Sequence, residues 1–335
     1  MKVIIDDKIP YIREAIAQVA DQVMYLPGSA ITAEDVRDAD ALIVRTRTRC
    51  NRALLEGSRV QFIATATIGF DHLDTEYLRQ AGIRWTNCPG CNAGSVAQYL
   101  RSSLLLLSQE KGLPLSHSTL GVVGVGHVGT LVAEVGKELG MRVLLCDPPR
   151  AERGEQGFLP LEELMREADV ITFHTPLVRD GHYPTLHMAD DTFFHALARK
   201  PIIINTSRGE VVDGQALLRA LDEGRVCEAI IDVWENEPDI DLRLLERVYL
   251  GTPHIAGYSA DGKANATRMV LEALCNHFGL QGHSFAITPP PAPAGADPCN
   301  PLSLYNPWRD SQALKENPSD FEFLRGNYPL RREYV

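Results

Sequence analysis

Three side chains with acid–base or anion-binding chemistry each follow a short run rich in isoleucine, valine or leucine. They are Arg208, Glu237 and His254. Runs of this kind predict the buried strands of a parallel sheet. In an open α/β sheet, ligands bind beyond the carboxyl ends of the strands. We therefore expect these residues to lie at one edge of a sheet and to form a candidate catalytic group.

The three residue types together suit hydride transfer from a 2-hydroxy acid. His254 would accept the hydroxyl proton near neutral pH, and the Glu237 carboxylate would hold the ring and favour its protonated form. The Arg208 guanidinium would bind the substrate carboxylate through two hydrogen bonds and polarise the oxygen on C2. Ordinary structural roles also stay open, namely a lone histidine, a solvated loop acid before Pro238 and a turn-capping arginine ahead of Gly209.

A glycine-rich segment at 124–129 reads Gly-Val-Gly-His-Val-Gly and stands between an apolar run and a helical pattern. Its glycines permit a tight turn and the close approach of a pyrophosphate, and the following helix N-terminus supplies unpaired N–H groups and partial positive charge. This order of strand, loop and helix predicts a dinucleotide site. Its expected contacts are Gly124, Gly126, His127, Val128 and Gly129.

An acidic residue, Asp147, ends the next predicted strand, 18 residues after Gly129. A carboxylate at this position binds the hydroxyls of the adenosine ribose and repels a 2′-phosphate. The sequence therefore favours NAD over NADP, although Arg150 and Arg153 lie close enough in sequence to hold such a phosphate.

Apolar runs alternate with helical patterns along the chain, which predicts α/β domains with parallel sheets. The predicted strands are 3–5, 41–45, 60–65, 83–86, 120–123, 142–146, 170–173, 202–205, 228–232 and 248–250. The predicted helices are 74–78, 95–110, 127–139, 161–167, 213–221 and 260–278. From Thr288 onward, closely spaced prolines predict a linker or a surface arm without regular helix or central strand.

Length and composition restrict the class of protein. At about 150 residues per domain, the 335 residues predict two domains. The formal net charge of −11 argues against a binder of nucleic acid or of anionic membranes. Neither a bilayer-spanning apolar run nor a secretory signal pattern is visible. Seven scattered cysteines predict reduced thiols and a cytoplasmic protein.

The order of these motifs resembles the NAD-dependent D-2-hydroxyacid dehydrogenases over about residues 1–285. It comprises the glycine loop and Asp147, followed by the segments 205–209, 232–238 and 253–257. The resemblance implies that Arg208 binds the substrate carboxylate, Glu237 orients the histidine and His254 is the acid/base. It further implies a set of residues that border the NAD cofactor: Thr175, Thr206, Ser207, Asp232 and Gly257.

Further segments resemble one branch of that family, whose members oxidise 4-phospho-D-erythronate to 2-oxo-3-hydroxy-4-phosphobutanoate in pyridoxal 5′-phosphate biosynthesis. These segments are 64–72, 89–93, 145–150, 172–177, 251–258 and 327–333. The resemblance implies a phosphorylated 2-hydroxy acid as the small-molecule substrate. Its implied contacts are Arg45, Thr46, Thr67, Ile68, Gly69 and Tyr258. Arg45 belongs to a basic cluster in an acidic chain and adjoins Thr46, so we expect it either to contact the phosphate or to lie at a solvated strand end.

The architecture of the family implies two doubly wound α/β domains with the active site in the cleft. A Rossmann NAD domain occupies 95–257, and a flavodoxin-like substrate domain combines 1–94 with a returning helix at 258–285. Residues 286–335 then form a short, proline-rich C-terminal extension. Relatives carry a longer dimerisation domain there, so we expect a homodimer with a reduced contact region.

Other functions remain open from the sequence. The same residues suit a dehydrogenase for another D-2-hydroxy acid, such as glycerate, phosphoglycerate or lactate, and the fold alone permits an NAD-sensing scaffold without catalysis. Cys88 and Cys91 have the spacing of a redox motif. No HExxH or similar ligand spacing occurs, so we expect no metal.

Overall fold

The computed structural model of the chain describes residues 1–280, 282–292, 297 and 300–333. The strands are β1 (Lys2–Asp6), β2 (Gln22–Leu26), β3 (Ala41–Val44), β4 (Phe62–Thr65), β5 (Arg84–Thr86), β6 (Thr119–Val123), β7 (Arg142–Cys146), β8 (Val170–Phe173), β9 (Ile202–Asn205), β10 (Glu228–Ile231) and β11 (Leu250–Gly251). The α-helices are α1 (Arg13–Ile16), α2 (Ala33–Val36), α3 (Arg52–Leu55), α4 (Thr75–Gln80), α5 (Ala93–Lys111), α6 (His127–Glu138), α7 (Pro148–Glu152), α8 (Leu161–Glu167), α9 (Asp191–His195), α10 (Gly214–Asp222), α11 (Leu242–Arg247), α12 (Ala260–Phe278), α13 (Pro301–Leu304), α14 (Pro307–Glu316) and α15 (Phe321–Gly326).

Residues 1–92 and 259–291 form one compact unit around a parallel sheet of order β2-β1-β3-β4-β5. The strands β3 and β4 are buried along their whole length, which explains their nearly continuous apolar sequences. The helix α12 contributes Val270, Leu271 and Leu274 to a core that also contains Val3 and Ile5 of β1. The returning helix α12 therefore completes the unit that the first 92 residues begin.

Residues 93–258 and the described residues from 292 onward form the second unit, around a parallel sheet of order β11-β10-β9-β8-β6-β7. The strand β6 pairs with β7 on one side and with β8 on the other. The chain adds β7 on one side of β6 and then adds β8, β9, β10 and β11 on the other side. Doubly wound sheets bind ligands at such a switch point in the strand order. The expected α/β class, with two doubly wound parallel sheets, is confirmed.

The sequence patterns do not predict strand β2. Its residues lie at the edge of the first sheet and are half-buried or exposed. An edge strand that begins with a glutamine lacks the buried apolar signal by which the neighbouring strands are recognised.

The expectation that the prolines after Thr288 exclude helix is wrong. Pro301 and Pro307 begin α13 and α14, and the side chains of Asn300 and Asn306 accept hydrogen bonds from the first backbone N–H groups of these helices. Proline is suited to the first helical position, because its missing N–H would have no intrahelical partner there and its φ already fits a helix.

The C-terminal segment 300–333 packs into the second unit. Leu314 and Phe321 are fully buried in the core beneath β8, β9 and β10. The backbone N–H of Gly251 in β11 donates to Ser311 Oγ at 3.0 Å. The residues expected to form an extension thus complete a core, and burial of their apolar side chains stabilises this arrangement.

Across the residues that the structure describes, we find no helix long and apolar enough to cross a membrane.

Candidate active site

The loops after β10 and β11 bring Glu237 and His254 together. The two strands pair in parallel, with Ile231 opposite Gly251, so that both loops leave the same edge of the sheet. His254 Nδ1 lies 2.8 Å from Glu237 Oε2, and both side chains are largely buried. Two of the three side chains expected to form the catalytic group are therefore in direct contact.

The Glu237 carboxylate determines which nitrogen of His254 carries a proton. Burial opposes ionisation of Glu237, but hydrogen bonds from His254 and from the Trp234 backbone N–H, together with the positive charge of Arg325, hold the pKa of its carboxyl below the usual value. An ionised carboxylate only accepts hydrogen bonds, so His254 Nδ1 must donate. This leaves the lone pair of His254 Nε2 available to accept a proton.

A second buried carboxylate, Asp232, holds the loop that carries His254. Asp232 Oδ1 accepts from Thr252 Oγ1 at 2.6 Å and from Ile255 N at 2.8 Å, and Oδ2 accepts from Ala256 N at 2.9 Å. The backbone of His254 has φ 55°, in the left-handed region, and its N–H donates to the Asp232 carbonyl at 2.7 Å. A non-glycine residue in that region costs about 1–3 kcal/mol, which the surrounding bonds must offset.

Asp232 was expected to border the cofactor, and its carboxylate is already engaged by the loop. Burial raises the pKa of this carboxyl, while the charge of His254 and the hydrogen bonds from Thr252, Ala256 and Ile255 oppose the rise. These contacts assign Asp232 a role in positioning the His254 loop, in addition to any contact with the cofactor.

The C-terminal segment also contacts this loop. Arg331 is buried and donates from Nη2 to the carbonyls of Ala256 at 2.5 Å and of Ser95 at 3.1 Å. Its guanidinium carbon lies 4.2 Å from the centre of the Tyr305 ring. Gly257, an expected cofactor contact, directly follows the carbonyl that Arg331 binds.

Arg208 lies at the end of β9, the strand next to β10, with Asn205 opposite Ile231. Its guanidinium Nη1 donates to the Ser207 carbonyl at 2.8 Å. The Asn205 side chain fixes the turn, because it accepts from Ser207 N and Oγ and donates to the Arg208 carbonyl. Sequence reasoning missed Asn205, although a polar residue at the end of an apolar strand was a visible signal.

The Arg208 loop also packs on the loop that carries Glu237. A Cβ added to Gly209 would lie 2.1 Å from the carbonyl carbon of Trp234. A side chain at that position would force the two loops apart. Arg208 is therefore held at the same sheet edge as the pair of Glu237 and His254 by backbone packing.

The glycine loop after β6 has the conformation that a dinucleotide site requires. Gly124 has φ +84°, and Gly129 packs so closely that a Cβ would lie 2.0 Å from the Gly124 carbonyl oxygen. Gly126, in contrast, has no atom within 4 Å of its Cβ position. It is exposed and precedes the first residues of α6, His127 and Val128.

These residues fit a bound dinucleotide. The open side of Gly126 and the N-terminus of the twelve-residue helix α6 suit a pyrophosphate. Thr175, after β8, has a buried hydroxyl without a hydrogen-bond partner among the described residues, and its methyl group lies 2.8 Å from the Cβ position of Gly124. A buried hydroxyl left without a partner is costly, so a ligand at this position would stabilise it.

Asp147 follows β7, and its side chain is hydrogen-bonded to the backbone of the glycine loop. Its Oδ2 accepts from Val125 N at 2.8 Å, and its Oδ1 accepts from Arg150 N at the start of α7. The guanidinium of Arg150 pairs with Glu155 at 2.5 Å and donates to the Val125 carbonyl at 2.5 Å. Arg150 is therefore engaged within the protein, which weakens the reading that it holds a 2′-phosphate.

We expect Asp147→Asn to lower the preference for NAD over NADP by about tenfold, or 1.4 kcal/mol. Asparagine keeps one acceptor oxygen, which can bond either Val125 N or the α7 N–H of Arg150, and it removes the negative charge that repels a 2′-phosphate. The measurement is kcat/KM with each coenzyme, and Asp180→Asn in an exposed loop is the control. An unchanged ratio would show that another residue selects the coenzyme.

His174 directly follows β8, and its ring lies between Thr172 and the expected cofactor residue Thr206. His174 Nε2 lies 3.0 Å from Thr172 Oγ1, and Nδ1 lies 3.4 Å from Thr206 Oγ1. Burial lowers the pKa of its imidazole to about 3, although the residue retains some solvent contact. His174 thus stays neutral in the folded protein over the whole physiological range.

We expect this histidine to make the protein less stable on acidification. In the unfolded chain its pKa is about 6.5, so below that pH the unfolded state binds one more proton, and stability falls as the pH drops from 6.5 towards 3. The slope is below the limit of about 1.4 kcal/mol per pH unit, because the side chain is not fully sealed. Denaturant midpoints at pH 7 and pH 5 should differ less in His174→Asn than in the parent protein, with exposed His195→Asn as control. Equal differences in all three proteins would contradict this expectation.

The expected substrate residues of the first unit lie at two adjacent strand ends. Val44 pairs with Thr65, so the loops that begin with Arg45 and Ala66 share one edge of the sheet. Thr46 is exposed, and Arg45 Nε lies 3.3 Å from the buried Asp6 carboxylate. Part of the Arg45 guanidinium therefore pairs with Asp6, a contact that the sequence did not predict.

Thr67 organises the loop after β4. Its hydroxyl donates to the Gly69 carbonyl at 2.8 Å and lies 2.7 Å from Thr65 Oγ1. The Ile68 carbonyl accepts from Asn87 at 2.7 Å. Thr67, Ile68 and Gly69 therefore form one hydrogen-bonded turn.

The redox reading of Cys88 and Cys91 is not supported. Burial raises the pKa of the Cys88 thiol well above its ordinary value, and its sulfur lies 3.4 Å from each of two backbone carbonyl oxygens, those of Thr65 and Ala266. A reactive cysteine requires the opposite environment. In the described part of the chain, no group of three or more histidines, cysteines or acids is placed to hold a metal ion.

Comparison with known proteins agrees with this geometry. Residues 95–256 match the family model described as D-isomer specific 2-hydroxyacid dehydrogenase, NAD binding domain. An erythronate-4-phosphate dehydrogenase of Bacteroides fragilis is 58% identical over 99% of this chain and 97% of its own length. A protein of the same name from Salmonella schwarzengrund is 44% identical over 100% of this chain and 92% of its own length. The crystal structure of D-lactate dehydrogenase from Aquifex aeolicus, complexed with NAD and lactic acid, has a TM-score of 0.66 and 26% identity over 84% of this chain and 96% of that one.

The chain belongs to the D-2-hydroxyacid dehydrogenase family. It is an oxidoreductase with NAD as its cofactor, as the glycine loop and Asp147 predicted. The chain spans 97% and 92% of the lengths of these two relatives.

Proposed function

We propose that this protein oxidises the C2 hydroxyl of 4-phospho-D-erythronate and yields 2-oxo-3-hydroxy-4-phosphobutanoate for pyridoxal 5′-phosphate biosynthesis. The observation that carries the chemistry is the pair of His254 and Glu237, 2.8 Å apart, at the sheet edge that also bears Arg208. The name of the relatives at 58% and 44% identity supports the choice of substrate.

In this proposal His254 is the base. Its Nε2 removes the proton of the C2 hydroxyl as hydride leaves C2, and the anionic Glu237 stabilises the resulting imidazolium through Nδ1. Arg208 binds the substrate carboxylate and polarises the C2 oxygen. Bound NAD supplies the hydride acceptor. In the reverse direction, protonated His254 returns the proton to the oxygen.

We also propose how the chain holds its ligands. Gly126 and the start of α6 bind the pyrophosphate of NAD, and Asp147 binds the ribose hydroxyls. The remaining cofactor contacts are Gly124, His127, Val128, Gly129, Thr175, Thr206, Ser207, Asp232 and Gly257. The hydroxyl and the backbone N–H of Ser207 both donate to Asn205 Oδ1.

The substrate contacts carried by the first unit are the loops after β3 and β4. We propose that Arg45 and Thr46 hold the phosphate, and that the turn of Thr67, Ile68 and Gly69 contacts the carbon chain. The hydroxyl of Tyr258 supplies a further polar contact to the substrate.

The test is reduction of NAD, followed at the NADH absorbance band, with 4-phosphoerythronate, 3-phosphoglycerate, D-glycerate and D-lactate in parallel. A 2-oxo acid is added to recycle any NADH that stays bound. We expect activity with 4-phosphoerythronate alone. Activity with another acid would keep the chemistry and discard this substrate. If none of the acids is oxidised although NAD still binds, the result would favour a scaffold without catalysis.

We further propose a homodimer in the cytoplasm. The dimer rests on the family resemblance, and the location rests on the reduced thiols of Cys50, Cys88, Cys146, Cys227 and Cys275. Light scattering after size-exclusion chromatography measures the mass of the particle, and a mass of one chain would contradict the dimer.

A further inference from the structure

A third charged side chain, from the C-terminal segment, reaches the pair of His254 and Glu237. Arg325 on α15 places Nη1 3.8 Å from Glu237 Oε2, the same oxygen that lies 2.8 Å from His254 Nδ1. Its Nε donates to the Tyr258 hydroxyl at 3.2 Å. The side chain is 29% exposed, so the guanidinium lies mostly within the protein.

We propose that Arg325 is a positioning residue that sets the pH range of catalysis by competing with His254 for the charge of Glu237. The inference rests on the proposed roles of Glu237 and His254. It assigns to the C-terminal segment a part in the chemistry itself, in addition to its part in the core of the second unit.

The charge arrangement gives the sign of the effect. A cation beside Glu237 favours its ionised form but offsets part of the negative potential that the carboxylate presents to His254. The imidazolium form is therefore less stabilised when Arg325 is present. Oxidation needs neutral His254, so Arg325 extends oxidation to lower pH.

Other charged groups face the same pair and do not cancel Arg325. Asp232 is bonded to the backbone of the His254 loop and favours the imidazolium, as Glu237 does. Glu322 is nearly half exposed, and its Oε1 lies 3.7 Å from Arg325 Nη1. Solvent screens a pair with an exposed partner more than the buried contact to Glu237. Tyr258 fixes the guanidinium through its hydroxyl without contributing a charge at neutral pH.

The test compares Arg325→Gln and Arg325→Lys with Arg309→Gln, which removes an exposed arginine from α14 of the same segment. For each protein, kcat/KM for oxidation and for reduction is measured across pH, with whichever 2-hydroxy acid the parent protein oxidises. We expect both profiles of Arg325→Gln to move to higher pH by about half to one unit. Arg325→Lys keeps the charge and should move less, and Arg309→Gln should match the parent protein.

A second readout is independent of the substrate. The titration of His254 in each protein, followed by NMR with labelled histidine, should shift in the same direction and by a similar amount. If no acid is oxidised, this titration still tests the proposal, so its failure and that of the proposed function are distinguishable. A folded Arg325→Gln whose profiles and titration match the parent protein would overturn it. A rise in KM confined to phosphorylated acids, with unshifted profiles, would also overturn it and make Arg325 a substrate contact. If Arg325→Gln does not fold, Arg325→Lys provides the test. Because lysine keeps the positive charge, a shift of the His254 titration by as much as one pH unit in this variant would contradict the charge argument.

Discussion

His254→Asn should lose about 10²–10⁴-fold of its turnover while it still binds NAD. Asparagine cannot accept the C2 hydroxyl proton, so the step coupled to hydride departure loses its base. Its side-chain amide still reaches toward Glu237 Oε2, which lies 2.8 Å from the ring nitrogen it replaces. The cofactor contacts in the glycine loop and on α6 are separate from this loop, and we expect the affinity for NAD to remain within a factor of about three.

Two measurements check this expectation. Turnover is measured under saturating substrate, and NAD affinity is measured by titration calorimetry. The control is His182→Asn, because His182 is 74% exposed and lies outside the site. Retention of parental turnover in His254→Asn would remove the histidine from the mechanism. A combined loss of turnover and NAD binding would point instead to collapse of the loop that Asp232 holds.

The second large effect concerns two glycines of one loop with opposite expected defects. Gly126→Ala should weaken NAD binding by at least about tenfold without lowering the melting temperature. The added methyl group meets no protein atom within 4 Å, and the backbone of Gly126, with φ −80°, is accessible to alanine. The methyl group instead occupies the space in which the pyrophosphate must approach the backbone.

Gly129→Ala is the matched comparison. Its methyl group would lie 2.0 Å from the Gly124 carbonyl oxygen, so the loop and α6 must move apart. We expect a clear fall in melting temperature, of the kind that overpacked backbone contacts produce. Thermal unfolding and NAD titration of both variants separate the two defects. Unaltered NAD affinity in Gly126→Ala would show that the pyrophosphate does not pass over this residue.

The sequence alone was sufficient for the class of fold and for the principal chemistry. Buried parallel strands are nearly continuous apolar runs, and the loop at 124–129 has a local glycine pattern, so both are legible without tertiary information. Arg208, Glu237 and His254 could be proposed because each follows such a run. That His254 Nδ1 bonds Glu237 Oε2 could not be read from spacing, since 17 residues separate them.

The weak signals were missed for identifiable reasons. The edge strand β2 is not buried along its length, and so it lacks the apolar pattern of its neighbours. The prolines at 301 and 307 are compatible with helix only as first residues after an asparagine cap, a local exception to their usual effect. The strand was missed because an exposed strand lacks the usual apolar pattern. The helices were missed because proline is compatible with a helix at its first position.

The sequence by itself determined the parallel α/β class and the dinucleotide loop, and it was enough to propose a base, an acid and an anion-binding arginine. Only the tertiary structure decided how these groups are held. Asp232 anchors the His254 loop from within, Arg331 binds the Ala256 carbonyl across 75 positions of sequence, and Arg325 reaches Glu237 from the C-terminal segment. The physical reason is that hydrogen bonds and ion pairs between distant segments leave no periodic trace in the chain, whereas burial of strands and tight glycine turns do.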